Sequence, residues 1–197
     1  VSSRAFAILF AAGLLFSTSS CGYNDIQIKD EQVTADWSEV QNQYQRRFDL
    51  IPNLVKTVQA FAKQEKEVFT EVTNARSRVG SMQITPELVN DPAAFEKFQK
   101  AQANMSSALS RLLLVAENYP ALTSDQNFRD LQAQLEGTEN RIAVARNRYI
   151  KAVTAFNTTV RVFPSNLTAK LFGYPPKQNF QPENAEAIAK PPEVNFE

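Results

Sequence analysis

Residues 123–164 read TSDQNFRDLQAQLEGTENRIAVARNRYIKAVTAFNTTVRVFP, and this stretch decides the fold. Phe128, Leu131, Leu135, Thr138, Ile142, Ala145, Tyr149, Ala152, Phe156, Val160 and Phe163 recur at intervals of three and four with almost no break. An α-helix turns every 3.6 residues, so this spacing lines one face of a single long helix; a strand would alternate by two. Thr123-Ser124 marks its start and Pro164 its end. A sustained seven-residue repeat specifies near-parallel helices packed with a left-handed twist.

The same period extends towards the N-terminus. Phe95, Phe98, Gln102, Met105, Leu109, Leu112, Ala116 and Tyr119 form a second stripe, opened by Thr85-Pro86 or Asp91-Pro92 and closed by Pro120. A third stripe runs from about Asp25 to Val79 through Val33, Trp37, Val40, Tyr44, Ile51, Leu54, Val58, Phe61, Val68, Val72, Ala75 and Val79, with Arg47 and Glu65 as polar members. Read as one helix it would be roughly 80 Å long, stopped by Gly80-Ser81. Pro52 lies inside it and removes the bond to the Phe48 carbonyl, which predicts a kink or local break, with Asp49 placed to cap nearby amides.

Short connections between such helices predict antiparallel neighbours, and Ser165–Phe172 is long enough for one more short helix. From Gly173 the chain is Pro-rich (Pro175, Pro176, Pro182, Pro191, Pro192) and reads as an extended or mobile tail, with Phe180 and Phe196 as docking points. The expected fold is therefore all-α: an antiparallel up-and-down helical bundle of three long helices plus a short fourth, a very long first helix kinked near Pro52, and an extended Pro-rich C-terminal tail. A first helix that outruns its neighbours would leave the apolar stripe around Val68 and Val72 uncovered.

Composition narrows the chemistry. Lys+Arg and Asp+Glu both number 21, giving zero net charge, which argues against nucleic acid as a partner. His is absent, so His-based triads, Cys-His pairs and His-ligated metal or haem sites are excluded. A single Cys allows no internal disulfide. Five Gly argue against glycine-rich phosphate loops. No Asp-x-Asp-x-Asp-Gly loop is present, and no cofactor, metal or catalytic residue is assigned.

Residues 1–20 read as a lipoprotein signal peptide: Arg4, a short apolar run from Ala5 to Phe16, then small residues before Cys21. The run is about 12 residues, short for a span of ~30 Å of hydrocarbon. Cys21 stands where the sulfur of a lipobox would take a diacylglycerol, although Thr18 departs from the commoner Leu. The alternative is an uncleaved transmembrane anchor with an incidental Cys. On the lipoprotein reading residues 21–173 form the bundle and 174–197 the tail, and Gly22 rather than Asp after the Cys leans towards an outer membrane where two membranes exist.

The densest polar cluster is RRFDLIPNLV at residues 46–55. Arg47 is in register with the stripe, so its guanidinium needs a carboxylate on another helix, and Glu117 and Glu139 are the candidates. Arg46, Arg47, Asp49, Asn53, Glu117, Asn118, Glu139, Asn140 and Arg141 thus form either an internal network that fixes helix register or a polar binding patch at the kink; the first reading is preferred.

Taken together, RRFDLIPNLV (46–55), Ala75-Arg76, AENYP (116–120) with Leu122, Asn127-Phe128, ENRIAVAR (139–146) with Tyr149, Phe163-Pro164 and Phe172-Gly173-Tyr174 resemble the LemA family over about residues 24–197. The resemblance implies a membrane-tethered antiparallel helical bundle with a very long first helix. Members are often encoded near membrane-bound metalloproteases and commonly carry a transmembrane anchor, whereas Cys21 points to lipid here. The resulting expectation is a lipid-anchored, extracytoplasmic binding or scaffold module and not an enzyme. Its partners would be the membrane and an envelope protein, a membrane metalloprotease among them, or a second copy. The competing readings are a hydrolase built on Glu117, Glu139 and Asp49 in an open cleft, and a passive envelope spacer.

Overall fold

A computed structural model describes the backbone of residues 2–181 and the side chains from Gly22 onward. The elements are α1 (Ser2–Phe61), α2 (Lys66–Gly80), a 3-10 turn (Pro86–Asn90), α3 (Pro92–Ala116), α4 (Pro120–Thr123), α5 (Gln126–Arg161) and α6 (Ser165–Phe172). The described residues are all-α. The expected starts and stops hold closely. Asp91 caps α3 by accepting from the amides of Ala93 and Ala94, Asp125 caps α5 at Phe128, and α6 covers the expected short fourth helix.

The long first helix is the main correction. It runs through Pro52 as continuous helix and then ends at Phe61, so no break falls at the proline. The chain turns at 62–65 and α2 folds back along α1, bringing Gly80 and Arg76 onto the Phe48 ring. A Cβ on Gly80 would stand 3.2 Å from that ring, so glycine is what permits this close approach. The turn contains neither Pro nor Gly. Its cause is Lys63 to Glu67, five polar residues in succession: no apolar group there rewards a straight course. Folding back instead buries Val68, Phe69, Val72, Ala75 and Val79. The expected overhanging stripe at Val68 and Val72 does not exist.

The fold-back also resets direction. α1 and α5 pack antiparallel along their lengths, as the pairs Lys29–Thr159, Trp37–Tyr149 and Arg47–Glu139 show. Because α2 supplies the extra reversal, α3 runs alongside α1 in the same direction: Phe95 lies on Trp37, Gln102 and Ser106 on Arg47, and Tyr119 reaches the turn after α1. The order α1, α2, α3, α5 is up-down-up-down, with α2 a half-length member.

The start of the tail is docked. Phe180 is buried on Trp37, Phe95 and Tyr149. Around it the Asn157 side chain bonds both the amide and the carbonyl of Lys177, the Gln178 amide donates to the Val89 carbonyl, and Lys177 pairs with Asp30 at 2.7 Å. Packing therefore continues past the expected boundary at 173. Gly173 adopts the left-handed conformation (φ 75) that ends α6 and turns the chain into this strap. Phe163, expected in the α5 stripe, is exposed instead. The Cys21 side chain and the tail positions Pro182, Pro191, Pro192 and Phe196 lie outside the described residues.

Candidate functional site

The core is two clusters with a polar layer between them. One is aliphatic and spans Ile51–Leu54–Val58 on α1, the inner face of α2, Met105–Leu112 on α3 and Phe128–Leu135 on α5. The other is aromatic and holds Trp37, Tyr44, Phe95, Phe98, Tyr149, Phe156 and Phe180. In each helix that crosses the boundary the intervening core position is polar: Arg47 on α1, Gln102 on α3 and Thr138 on α5.

Arg47 is 2% exposed. Its Nη1 donates to Glu139 at 2.9 Å and to Ser106 Oγ at 2.8 Å; its Nη2 donates to the side-chain and main-chain oxygens of Gln102. The Tyr44 ring lies 5.0 Å from the guanidinium carbon, close enough for a cation–π contact. A buried guanidinium is tolerable only with this degree of pairing. Beside it, a cavity of about 140 Å³ opens between Tyr44, Gln99, Gln102, Glu139 and Arg146, room for a few waters. The Gln102 Nε2 is buried there without a hydrogen-bond partner.

Of the two predicted carboxylate partners, Glu139 is the one that pairs with Arg47. Glu117 ends α3 and is exposed; it stands eleven residues beyond Ser106, about 16 Å along the helix axis. Asp49 is exposed and accepts from Gln45 Nε2, so it caps nothing. Arg46, Asn53, Asn118, Asn140 and Arg141 are exposed and stay outside the layer. Glu117, Glu139 and Asp49 therefore do not converge on a cleft, and the geometric ground for a carboxylate hydrolase falls away. Among the described residues no group of acidic, His or Cys side chains is placed to hold a metal, and no helix is long and apolar enough to cross a membrane.

A sequence profile of the LemA family matches residues 36–196, the greater part of the chain. The protein belongs to the LemA family. It is similar to magnetosome proteins MamQ 2 and MamQ 1 of Paramagnetospirillum magneticum, each 27% identical over 179 residues, covering 83% of this chain and 66% of the relative. MamQ of Magnetospirillum gryphiswaldense is 25% identical over 168 residues, covering 77% and 62%. The chain thus spans just under two thirds of these relatives' length.

In this LemA-family chain each family-like string sits at a junction. RRFDLIPNLV supplies Arg47 to the polar layer and Phe48 to the α2 contact; ENRIAVAR supplies Glu139. AENYP supplies Tyr119, whose hydroxyl donates to Glu65 at 2.7 Å and accepts from Gln64, clasping the turn after α1. That bond to Glu65 raises the Tyr119 pKa. The string around Gly173 launches the tail strap. Sequence reasoning missed the clasp. Its signal was Glu65, a polar residue standing in an apolar register.

Proposed function

We propose that this protein is a non-enzymatic scaffold, tethered at the Gly22 end of α1 through lipidated Cys21 on the extracytoplasmic side of a bacterial membrane. There it holds an envelope protein partner against the far end of the bundle. The observation that carries this reading is the course of α1. From Gly22 to Phe61 it is uninterrupted helix, about 60 Å at 1.5 Å per residue, so tether and far end are separated by a stiff element.

The far end supplies a contact surface. Two shallow grooves of about 680 and 640 Å³ run over α2 and its neighbours, sharing Lys66, Thr70 and Asn74. Glu67, Glu71 and Arg111 line the first, and Arg111 pairs with both carboxylates across it. The first groove carries both charge signs and the second is basic through Lys63 and Lys66, a lining that suits a partner held through a wet interface. The Arg47–Glu139 pair supports contact over catalysis, because its charges are occupied by each other. Relatives named for the magnetosome support a role in a cellular assembly over one in small-molecule metabolism. The outer membrane is the favoured site where two membranes exist.

The test is photocrosslinking in native membranes from a benzoylphenylalanine placed at Thr70 or Asn74, with exposed Glu136 on α5 as control. An adduct to an envelope protein, a membrane metalloprotease among the candidates, or to a second copy, formed from the α2 sites and not from the control, is the expected result. Adducts confined to the chain itself would refute the scaffold reading and leave the passive spacer.

A further inference from the structure

Among the described residues nine large apolar side chains are exposed, and five of them fall in one short segment: Val162, Phe163, Leu167, Leu171 and Phe172. Leu114 and Val144, by contrast, are isolated on other helices. The segment is the link after α5 together with α6. Leu167 and Leu171 are spaced by four on α6, so they share one face, and they are 59% and 80% exposed; Phe163, in the link just before α6, is 78% exposed. The face α6 turns to the bundle is small, with Ala169 as its buried residue. Amphipathic helices of water-soluble bundles present the bulky face to the core; α6 does the reverse.

Its position identifies what covers the stripe. Ser165 packs against Gly22, and the Phe172 ring lies 4.8 Å from the Tyr23 ring. The exposed patch therefore lies beside the start of α1 at Gly22, one residue from Cys21. Arg161 and Lys170, both exposed, flank the stripe, and at the start of the described side chains Asp25 is neutralised by Lys29 at 2.6 Å. An apolar face with cations at its rim matches the boundary between acyl chains and anionic headgroups.

We infer that Phe163, Leu167, Leu171 and Phe172 form a collar that inserts into the bilayer interface beside the tether. The inference rests on the tethered reading and adds to it. A tether at one point leaves a rod free to pivot. A second contact, offset from the axis of α1, fixes the tilt at which α2 is presented.

The test uses the full, acylated chain reconstituted into vesicles of phosphatidylcholine and phosphatidylglycerol with brominated acyl chains, which quench indoles at close range. Trp37, 1% exposed in the core, is the internal reference. In Phe172→Trp the added indole should lose emission about twofold relative to unbrominated vesicles, as expected for a side chain buried ~5–10 Å below the headgroups. Leu167→Glu with Leu171→Glu in the same background should abolish that loss while the protein still floats with the vesicles. A chain that floats with an unquenched added indole overturns the collar and leaves the tether standing. A chain that does not float overturns both. An added indole shielded from bromolipid and from aqueous acrylamide alike assigns the patch to a second copy and overturns the lipid assignment.

Discussion

The two halves of the core solve the same packing problem with different material. The half towards α6 is filled by rings: Trp37 alone touches Phe95, Phe98, Tyr149 and Phe180 at centroid distances of 5.3 to 6.4 Å. The half towards the α1–α2 turn is filled mostly by Val, Leu and Ala across four helices. Rings fill a space that three long helices enclose without α2, and the 3-10 turn, α6 and the tail strap close it with Val89, Ala169 and Phe180. Where α2 folds back, the space is already divided among four backbones and small side chains suffice. The difference shows that the chain compensates a missing helix with larger side chains and a docked strand of tail.

The largest effect should come from the aromatic half. Trp37→Ala should lower stability by about 4 kcal/mol, against about 3 kcal/mol for Leu112→Ala, because more volume is lost and fewer backbones stand ready to collapse inward. Chemical denaturation of both variants measures this. Hydrogen exchange on Trp37→Ala would break the comparison if α2 amides lost protection as much as α5 amides near Tyr149, since the halves would then fold as one unit.

The polar layer between the halves gives the next effect, and it is asymmetric. Arg47 is 2% exposed whereas the Glu139 side chain is 40% exposed. Glu139→Ala strands the deeper charge and should cost about 3 kcal/mol. Arg47→Met leaves a carboxylate that water can reach and replaces the guanidinium stem with an apolar one, so it should cost about 1 kcal/mol. Thermal melts that rank the two variants in the opposite order would show that the layer stabilises through the carboxylate rather than through neutralising Arg47.

The smallest effect concerns pH. Tyr149 is fully buried, donates to the Gln178 carbonyl at 2.7 Å, and has its pKa pushed up by burial. Below about pH 10 both folded and unfolded chains keep the phenolic proton. Above it the unfolded chain releases the proton first, so stability falls as pH rises. Tyr149→Phe should cost about 1 kcal/mol at neutral pH and make the alkaline decline shallower. Denaturation series between pH 8 and 11 measure the slope.

The helices were legible because their signals are local. Asp91-Pro92 and Pro164 act on the residues beside them, Thr123-Ser124 fell within two residues of the Asp125 cap, and the α5 stripe from Phe128 to Val160 needs one partner face whatever its identity. The turn at 62–65 was not legible by the same means. No breaker marks it, and the period of three and four survives across it. The cause is a competition between a straight helix with uncovered Val68 and Val72 and a bent one that buries them, and that comparison involves α3. Arg47 announced its need for a carboxylate, but choosing Glu139 over Glu117 required the relative direction of α1 and α5. The exposed face of α6 was hidden for the opposite reason: its periodicity is that of a buried helix, and only the small Ala169 contact shows which side faces in.

The strap that follows Gly173 lays the start of the tail along the side of the bundle. Along it the Gln181 carbonyl accepts from Gln99 on the flank of α3 at 2.6 Å, one turn from Gln102. Truncation after Gly173 would bare that flank beside the Arg47 cavity and uncover Trp37, Phe95 and Tyr149 where Phe180 now sits.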